Sequence, residues 1–393
     1  MVFIGERCYK LHRMMFIFMG LWPYQKPFIW RIQAVIFFMI FCGCFLFQFT
    51  PFLTTTCDID CILKRYCYIS ICLVYLMSYY CFYFNSEMIK HALEHVQLDW
   101  KMFENSDAIK ILEDYLHDSY ILALCACAFL FTGMFTFLTV ECGPVIFDVI
   151  IPINETRPRT VEIDLETFID KDKYFFVYIV EELLGLGTGL CTVVTTGTFL
   201  NMIGKHCCAT YKIASCLIQN TVIVHTLQIP IDQKIQFMHR SICLSVYIHR
   251  RTMELINHLV VSLDLWYLPL LALAVLSLSC FLFRLYNAIM RFNDYYDIFV
   301  SSSLLNGYLL FTFLANFYGQ AYTEHSIELI ESTYNSLWYL APLPIQKLFL
   351  IMQRSVKSHK IVMGGLFTLS IEGFSTLITS AVSYFTVIHA MHS

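Results

Sequence analysis

Charge is what this chain has least of. Only 14% of its 393 residues are Asp, Glu, Lys or Arg, against roughly 25% in soluble domains, and those few are bunched. Proline (10 residues) and glycine (15) are too scattered to make a linker, so nothing divides the chain and it reads as a single domain over 1–393. No unit of about 20–50 residues repeats, which excludes a solenoid or propeller. The net charge of -4 is small; without a basic arm or a zinc-finger repeat, nucleic acid is not an expected partner. His-Glu-x-x-His, paired intramembrane aspartates and a Gly-rich phosphate loop are absent. Nothing therefore points to an enzyme, and no cofactor or metal is expected. The two halves also lack the matched broken helices of a transporter.

Apolar residues make up 58% of the chain, and they are gathered into runs of bilayer length. A membrane core takes about 20 apolar residues in a helix. Six charge-free stretches qualify: Ile32–Cys57, Tyr66–Ser86, Ser119–Val140, Leu183–Gly204, Leu265–Phe283 and Ile298–Thr323. A seventh, Met363–His389, is interrupted only by Glu372. Ile213–Ile231 is also free of charge, but Gln219, Asn220, His225 and Gln228 stud it and Pro230 precedes its end. It reads as an interfacial or inside helix. The expected fold class is all-α: a polytopic membrane protein with seven transmembrane helices.

Basic residues set the orientation. With the amino end inside, 18 of the 26 Lys and Arg fall on inside segments. Residues 1–31, with Arg7, Lys10, Arg13, Lys26 and Arg31, form an inside amino-terminal segment with no signal-peptide cleavage site. The glycosylation triplet Asn154-Glu155-Thr156 falls in the second outside loop, in agreement. An inside amino end and an outside carboxyl end argue against a G-protein-coupled receptor. So does the lack of Asp-Arg-Tyr after the third span and of Asn-Pro-x-x-Tyr in the seventh.

Two inside segments, 205–264 and 323–360, carry apolar residues at helical spacing among charges, such as Ile327, Ile330, Tyr334, Leu337 and Trp338. Such faces bury themselves against one another. An inside bundle is expected from extensions of spans four, five and six plus a helix before span seven. Most of the 17 cysteines sit inside the apolar runs, where a thiol behaves as a small hydrophobe. A disulfide is open among Cys57, Cys61 and Cys142. His206-Cys207-Cys208 reads as a metal site, a lipidation site or, most simply, reduced thiols at a helix end.

The last stretch, Met363–His389, is expected to be one helix with two faces. Thr376, Ser380, Ser383, Val387 and Met391 follow steps of three and four and so share one face. Phe374, Ile378, Val382 and Phe385 oppose them. A small polar stripe that turns apolar at its tip suits a water-lining wall with a constriction.

The carboxyl third resembles the insect odorant receptor family. The resemblance rests on Tyr318-Gly319-Gln320, Ser326, Tyr334, Trp338-Tyr339, Met352-Gln353-Arg354-Ser355, Gly364-Gly365-Leu366-Phe367, Leu369-Ser370-Ile371-Glu372-Gly373-Phe374 and Ser383-Tyr384-Phe385-Thr386. It covers about the last 75 residues closely. The Gln-Phe ending usual in the related gustatory receptors is absent. Ala341-Pro342-Leu343 and Glu181-Glu182-Leu183-Leu184 look most like the ant, bee and wasp expansions.

What the resemblance implies is a ligand-gated, non-selective cation channel in the plasma membrane of a sensory neuron dendrite. It implies a tetramer shared with an odorant co-receptor, with the last helix of each subunit lining the pore. By position relative to Tyr384-Phe385, the constriction falls on Val387 and Met391. Ala390 departs from the polar residue of the co-receptor, and His389 and His392 stand near the mouth. The family's pocket for small volatile or hydrocarbon-like ligands lies among spans two, three, four and six. That position offers Tyr75, Tyr79, Phe131, Phe135, Glu181, Leu184, Thr188, Phe299, Ser302, Ser303 and Asn306. A metabotropic seven-helix chemoreceptor and a gustatory-receptor-like channel are the alternatives.

Overall fold

The computed structural model describes residues 6–50, 52, 59–150, 174–228, 230–292, 295–355 and 357–392. Seven of its helices are long and apolar enough to cross a membrane. They are α2 (Pro27–Phe47), α3 (Ile59–Phe84), α5 (Ala108–Glu141), α7 (Phe175–Gln219), α9 (Ile231–Asn287), α10 (Tyr295–Asn335) and α12 (Ile371–His392). The shorter helices are α1 (Glu6–Phe18), α4 (Ser86–Phe103), α6 (Gly143–Ile150), α8 (Val224–Leu227) and α11 (Leu343–Ser355). A run of π-helix, Ala288–Phe292, continues α9.

Three of the spans are far longer than a bilayer requires: α7 has 45 residues, α9 57 and α10 41. Each overhangs by roughly 20 residues or more. The overhangs pack together with α11, as the amphipathic spacing predicts, and α1, α4 and the first turns of α5 join them. Ile89, Leu112, Tyr211, Leu255, Tyr322, Leu329 and Phe349 lie buried in one continuous core there. Hydroxyls cross-link it: Tyr211 to Tyr322 and Thr210 to Thr252, each at 2.9 Å. Gln219 Nε2 donates to Ser332 Oγ at 2.9 Å, and Lys212 pairs with Glu328. The polar stretch after Lys212 is thus the end of α7 and its turn, with Ile213, Ile218 and Val222 in the bundle core.

A second, smaller core sits in the half of the membrane bundle away from these overhangs. Cys67 of α3, Leu278 and Phe281 of α9, Leu305 of α10 and Ala381 of α12 form it.

The final helix begins later than the apolar run suggests. Residues 362–368 form a hairpin, with Val362 opposite Thr368 and Met363 opposite Phe367, so the expected pore helix over 363–389 is corrected to Ile371–His392. The cause is local. Gly364 and Gly365 both take positive φ, +61° and +65°, the turn conformation that glycine alone adopts freely. The Gly364 N–H donates to the Asp264 carboxylate of α9. Ser370 then caps the helix, its Oγ accepting from the Gly373 N–H at 3.0 Å.

Cys61 is disulfide-bonded, whereas Cys142 is a free thiol; Cys57 and Asn154 lie outside the described residues. Cys207 and Cys208 are buried in the bundle core, out of reach of a lipidating enzyme.

Candidate functional site

A cavity of about 380 Å³ opens among α2, α3, α5, α7 and α10, in the half of the membrane bundle away from the overhangs. Phe41, Tyr68, Tyr75, Phe129, Phe137 and Phe299 give it an aromatic wall. Gln48, Thr132, Thr136, Ser303, Glu181 and Glu182 supply its polar atoms. Such a lining holds an apolar molecule by contact and orients it through one or two hydrogen bonds.

Two glycines on α7 shape one side. A Cβ built on Gly189 would stand 1.9 Å from Tyr75 Cδ2, and one on Gly185 2.5 Å from Cys44 Sγ. Spaced four apart, they form a notch that lets α2 and α3 lie against the α7 backbone. Gly133 on α5 also lines the cavity but has open space around it.

Of the residues expected at a ligand site, Tyr75, Glu181, Phe299 and Ser303 line this cavity. The others do not. Phe131 and Phe135 are 71% and 67% exposed on the outer face of α5. The α5 lining is instead Phe129, Thr132, Gly133, Thr136 and Phe137, and one residue of phase turns a helical side chain by about 100°. The same displacement removes Leu184 and Thr188 on α7 and Ser302 and Asn306 on α10. Thr188 bonds the Leu184 carbonyl at 2.6 Å and Asn306 the Ser302 carbonyl at 2.9 Å, each within its own helix. Tyr79 is fully buried outside the cavity, its hydroxyl donating to the Met19 carbonyl at 3.1 Å. It ties α3 to the turn after α1.

Residues that sequence reasoning passed over include Tyr68, Gln48, Thr132 and Thr136. The signal for the notch was visible in the alternating Gly185-Leu186-Gly187-Thr188-Gly189. The Tyr68 arrangement left none. Arg284, buried on α9, donates to the Tyr68 hydroxyl at 2.8 Å and to the Asp297 carboxylate at 2.5 Å. Tyr296 donates to Glu141 at 2.7 Å. Ionisable groups at membrane depth are costly and survive when paired in this way. Two residues beyond Arg284, the Tyr286 ring meets His389 of α12 with ring centres 4.8 Å apart.

On α12, Leu377 and Ala381 are buried, and Phe374, Ile378 and Phe385 are partly covered. Thr376, Ser383, Val387 and Met391 are exposed on the far side with Ser380 half-exposed between them, as the two-faced spacing predicts. Val382, expected on the packed face, is 45% exposed, because it stands at that face's edge. The stripe hydroxyls bond back into their own helix: Thr376 to the Glu372 carbonyl at 3.0 Å, Ser380 to Thr376 at 2.8 Å and Ser383 to Thr379 at 2.9 Å.

Seven spans, an aromatic cavity among them and a packed bundle of helical overhangs define an all-helical, multi-pass membrane receptor. The chain matches the family model described as 7tm Odorant receptor over residues 58–382, and it belongs to the insect odorant receptor family, which is not a family of enzymes. Among solved structures it is similar to the insect olfactory receptor OR5 from Machilis hrabei in complex with eugenol. That likeness has a TM-score of 0.72 at 15% identity, covering 98% of this chain and 97% of that one. A second structure of the same OR5 gives 0.68 at 14% identity over the same shares. At such identity the likeness is one of fold. No curated protein matches the chain in sequence.

Proposed function

We propose that this protein is a ligand-gated cation channel subunit in which the cavity among α2, α3, α5, α7 and α10 takes a small apolar odorant. The observation that carries the reading is the cavity's lining: aromatic rings with a few hydroxyls, one amide and two carboxylates at the rim of α7. That set suits a small, mostly apolar volatile with few polar atoms, the class to which the eugenol in complex with OR5 belongs. Tyr75, Phe299 and Ser303 are assigned to ligand contact, and Tyr68, Gln48, Thr132 and Thr136 join them.

In this reading four subunits, shared with an odorant co-receptor, surround a pore lined by α12. Thr376, Ser380 and Ser383 form the wetted wall, and Val387 and Met391 the constriction, which blocks ions by staying dry. The amino end lies inside and the carboxyl end outside, Asn154 is glycosylated, and the channel works in the dendritic membrane of a sensory neuron. The ant, bee and wasp wording at Ala341-Pro342-Leu343 suggests which branch of the family to screen ligands from.

The test is whole-cell recording from cells expressing the chain with and without a co-receptor, over panels of volatiles and long-chain hydrocarbons. Ligand-evoked cation current that Val387 and Met391 substitutions alter is the expected result. Surface-expressed protein that conducts nothing across the panels, or an amino-terminal tag exposed on intact cells, overturns the reading.

A further inference from the structure

We propose that His95, Asp99 and His206 bind a divalent transition-metal ion of the zinc type, clamping α4 to α7 inside the helical bundle. The three lie outside the cavity and the α12 stripe. His95 and Asp99 stand four apart on α4, hence on one face, and His206 reaches them from α7. Their ligating atoms all lie within 4.8 Å of one another. His206 Nε2 is 2.9 Å and His95 Nδ1 3.2 Å from the same oxygen, Asp99 Oδ2. Ligands about 2.0–2.1 Å from a tetrahedral zinc stand about 3.3 Å apart, so the two separations from Asp99 open slightly and the imidazoles, within 4.8 Å of each other, draw together to accommodate the ion.

The second observation is what these imidazoles lack. His95, Asp99 and His206 are 8%, 2% and 1% exposed. His95 Nε2 and His206 Nδ1 have no hydrogen-bond partner, and His95 Nδ1 meets only Asp99 Oδ2, outside good hydrogen-bond geometry. Buried polar groups almost always have one, and the exceptions call for an ion, a water or a strain. An ion bound by His95 Nδ1, His206 Nε2 and Asp99 Oδ2 gives His95 Nδ1 the directed partner that its contact with Asp99 does not supply.

Arg251 occupies the other carboxylate oxygen, its Nε donating to Asp99 Oδ1 at 2.6 Å, and Nη2 donates to the His95 carbonyl at 3.3 Å. It fixes the carboxylate with Oδ2 toward the imidazoles. Its own charge is partly open to water, the side chain being 19% exposed, which moderates repulsion of the ion. Two imidazoles and one carboxylate suit zinc-like ions over calcium or magnesium, which take oxygen donors.

The experiment uses full-length protein in detergent, stripped with chelator and titrated with Co²⁺ alone. A Cys243→Ser background removes the exposed His239–Cys243 pair, whose sulfur and ring nitrogen lie 3.7 Å apart. The expected result is a visible tetrahedral cobalt band, displaced by Zn²⁺ and lost or weakened more than about 10-fold in His95→Ala and His206→Ala. Because either variant can lose its fold, His206→Cys is the companion: it retains binding and adds a near-ultraviolet thiolate-to-cobalt band. Identical titrations of the wild type and both alanine variants overturn the proposal. So does a folded His206→Cys protein without the thiolate band.

Discussion

The buried Arg284 guanidinium donates to the Tyr68 hydroxyl across 2.8 Å, joining residues 216 apart in sequence. Tyr68 belongs to the cavity wall, and Arg284 to the helix that packs against α12. Tyr68→Phe removes a buried hydrogen bond from a charged donor, a loss of about 1.5–3 kcal/mol. The expected outcome is a shifted concentration–response curve and a smaller maximal current at unchanged surface labelling. Phe41→Leu, which alters the wall and not this bond, is expected to shift the curve alone. Equal effects of the two on maximal current remove Arg284 from the response.

The glycine notch makes a paired prediction. Gly189→Ala drives a methyl into the Tyr75 ring, and overpacking of this kind costs about 1–3 kcal/mol. Lower surface expression, or a rightward ligand shift of 10-fold or more (~1.4 kcal/mol or more), is expected. Gly133→Ala has open space within 4 Å, so it is expected to express normally and to weaken only bulkier ligands. Tolerance of Gly189→Ala in both surface biotinylation and recording counts against the close approach.

The hairpin before α12 is testable by melting the detergent-solubilised protein. Gly364→Ala meets both a positive φ and the Leu268 side chain, whose Cδ2 lies 2.5 Å from the added Cβ. Gly365→Ala meets only the backbone cost, about 1–2 kcal/mol. The expected order of Tm is wild type, then Gly365→Ala, then Gly364→Ala. The reverse order removes the α9 contact as a determinant.

On the proposed pore, Val387→Ser wets a ring that blocks by dryness. Raised ligand-independent current is expected, with Met391→Ala widening the conductance. Basal and single-channel currents identical to wild type place the constriction elsewhere.

His359, in the segment before the hairpin, sets an acid sensitivity. Burial holds its pKa below the ordinary value of about 6.5. Tyr322 Oη lies 2.6 Å from Nδ1 and Asn257 Oδ1 3.2 Å from Nε2, a pair that suits the neutral ring protonated on Nε2. His249, also held low by burial and by His359, stands nearby. Below about pH 6.5 the unfolded chain takes up the proton before the folded one, so stability is lost as pH falls from there through the folded pKa. Tm is expected to drop between pH 7.5 and 5.5, and less so in His359→Gln. Parallel curves refute the assignment.

Run length and charge placement carried the seven spans, and amphipathic spacing carried the bundle, because both signals are averaged over many residues. Helix phase is different: Thr132 and Thr136 line the cavity while Phe131 and Phe135 face outward, and a slip of one residue decides it. The Tyr68–Arg284 bond and the His95–Asp99–His206 cluster join distant segments, which one sequence does not align. The late start of α12 was written locally in Gly364-Gly365, but the absence of charge from Met363 to Ile371 masked it.

The α12 hydroxyls already have acceptors in the carbonyls one turn back. The internal bonding of that face is therefore the same whether hydrocarbon, protein or water lies against it. A rotation of α12 would strand no donor at Thr376, Ser380 or Ser383. The free-energy difference between two orientations of the helix would then fall on the apolar tip, on how much of Val387 and Met391 each orientation leaves wet.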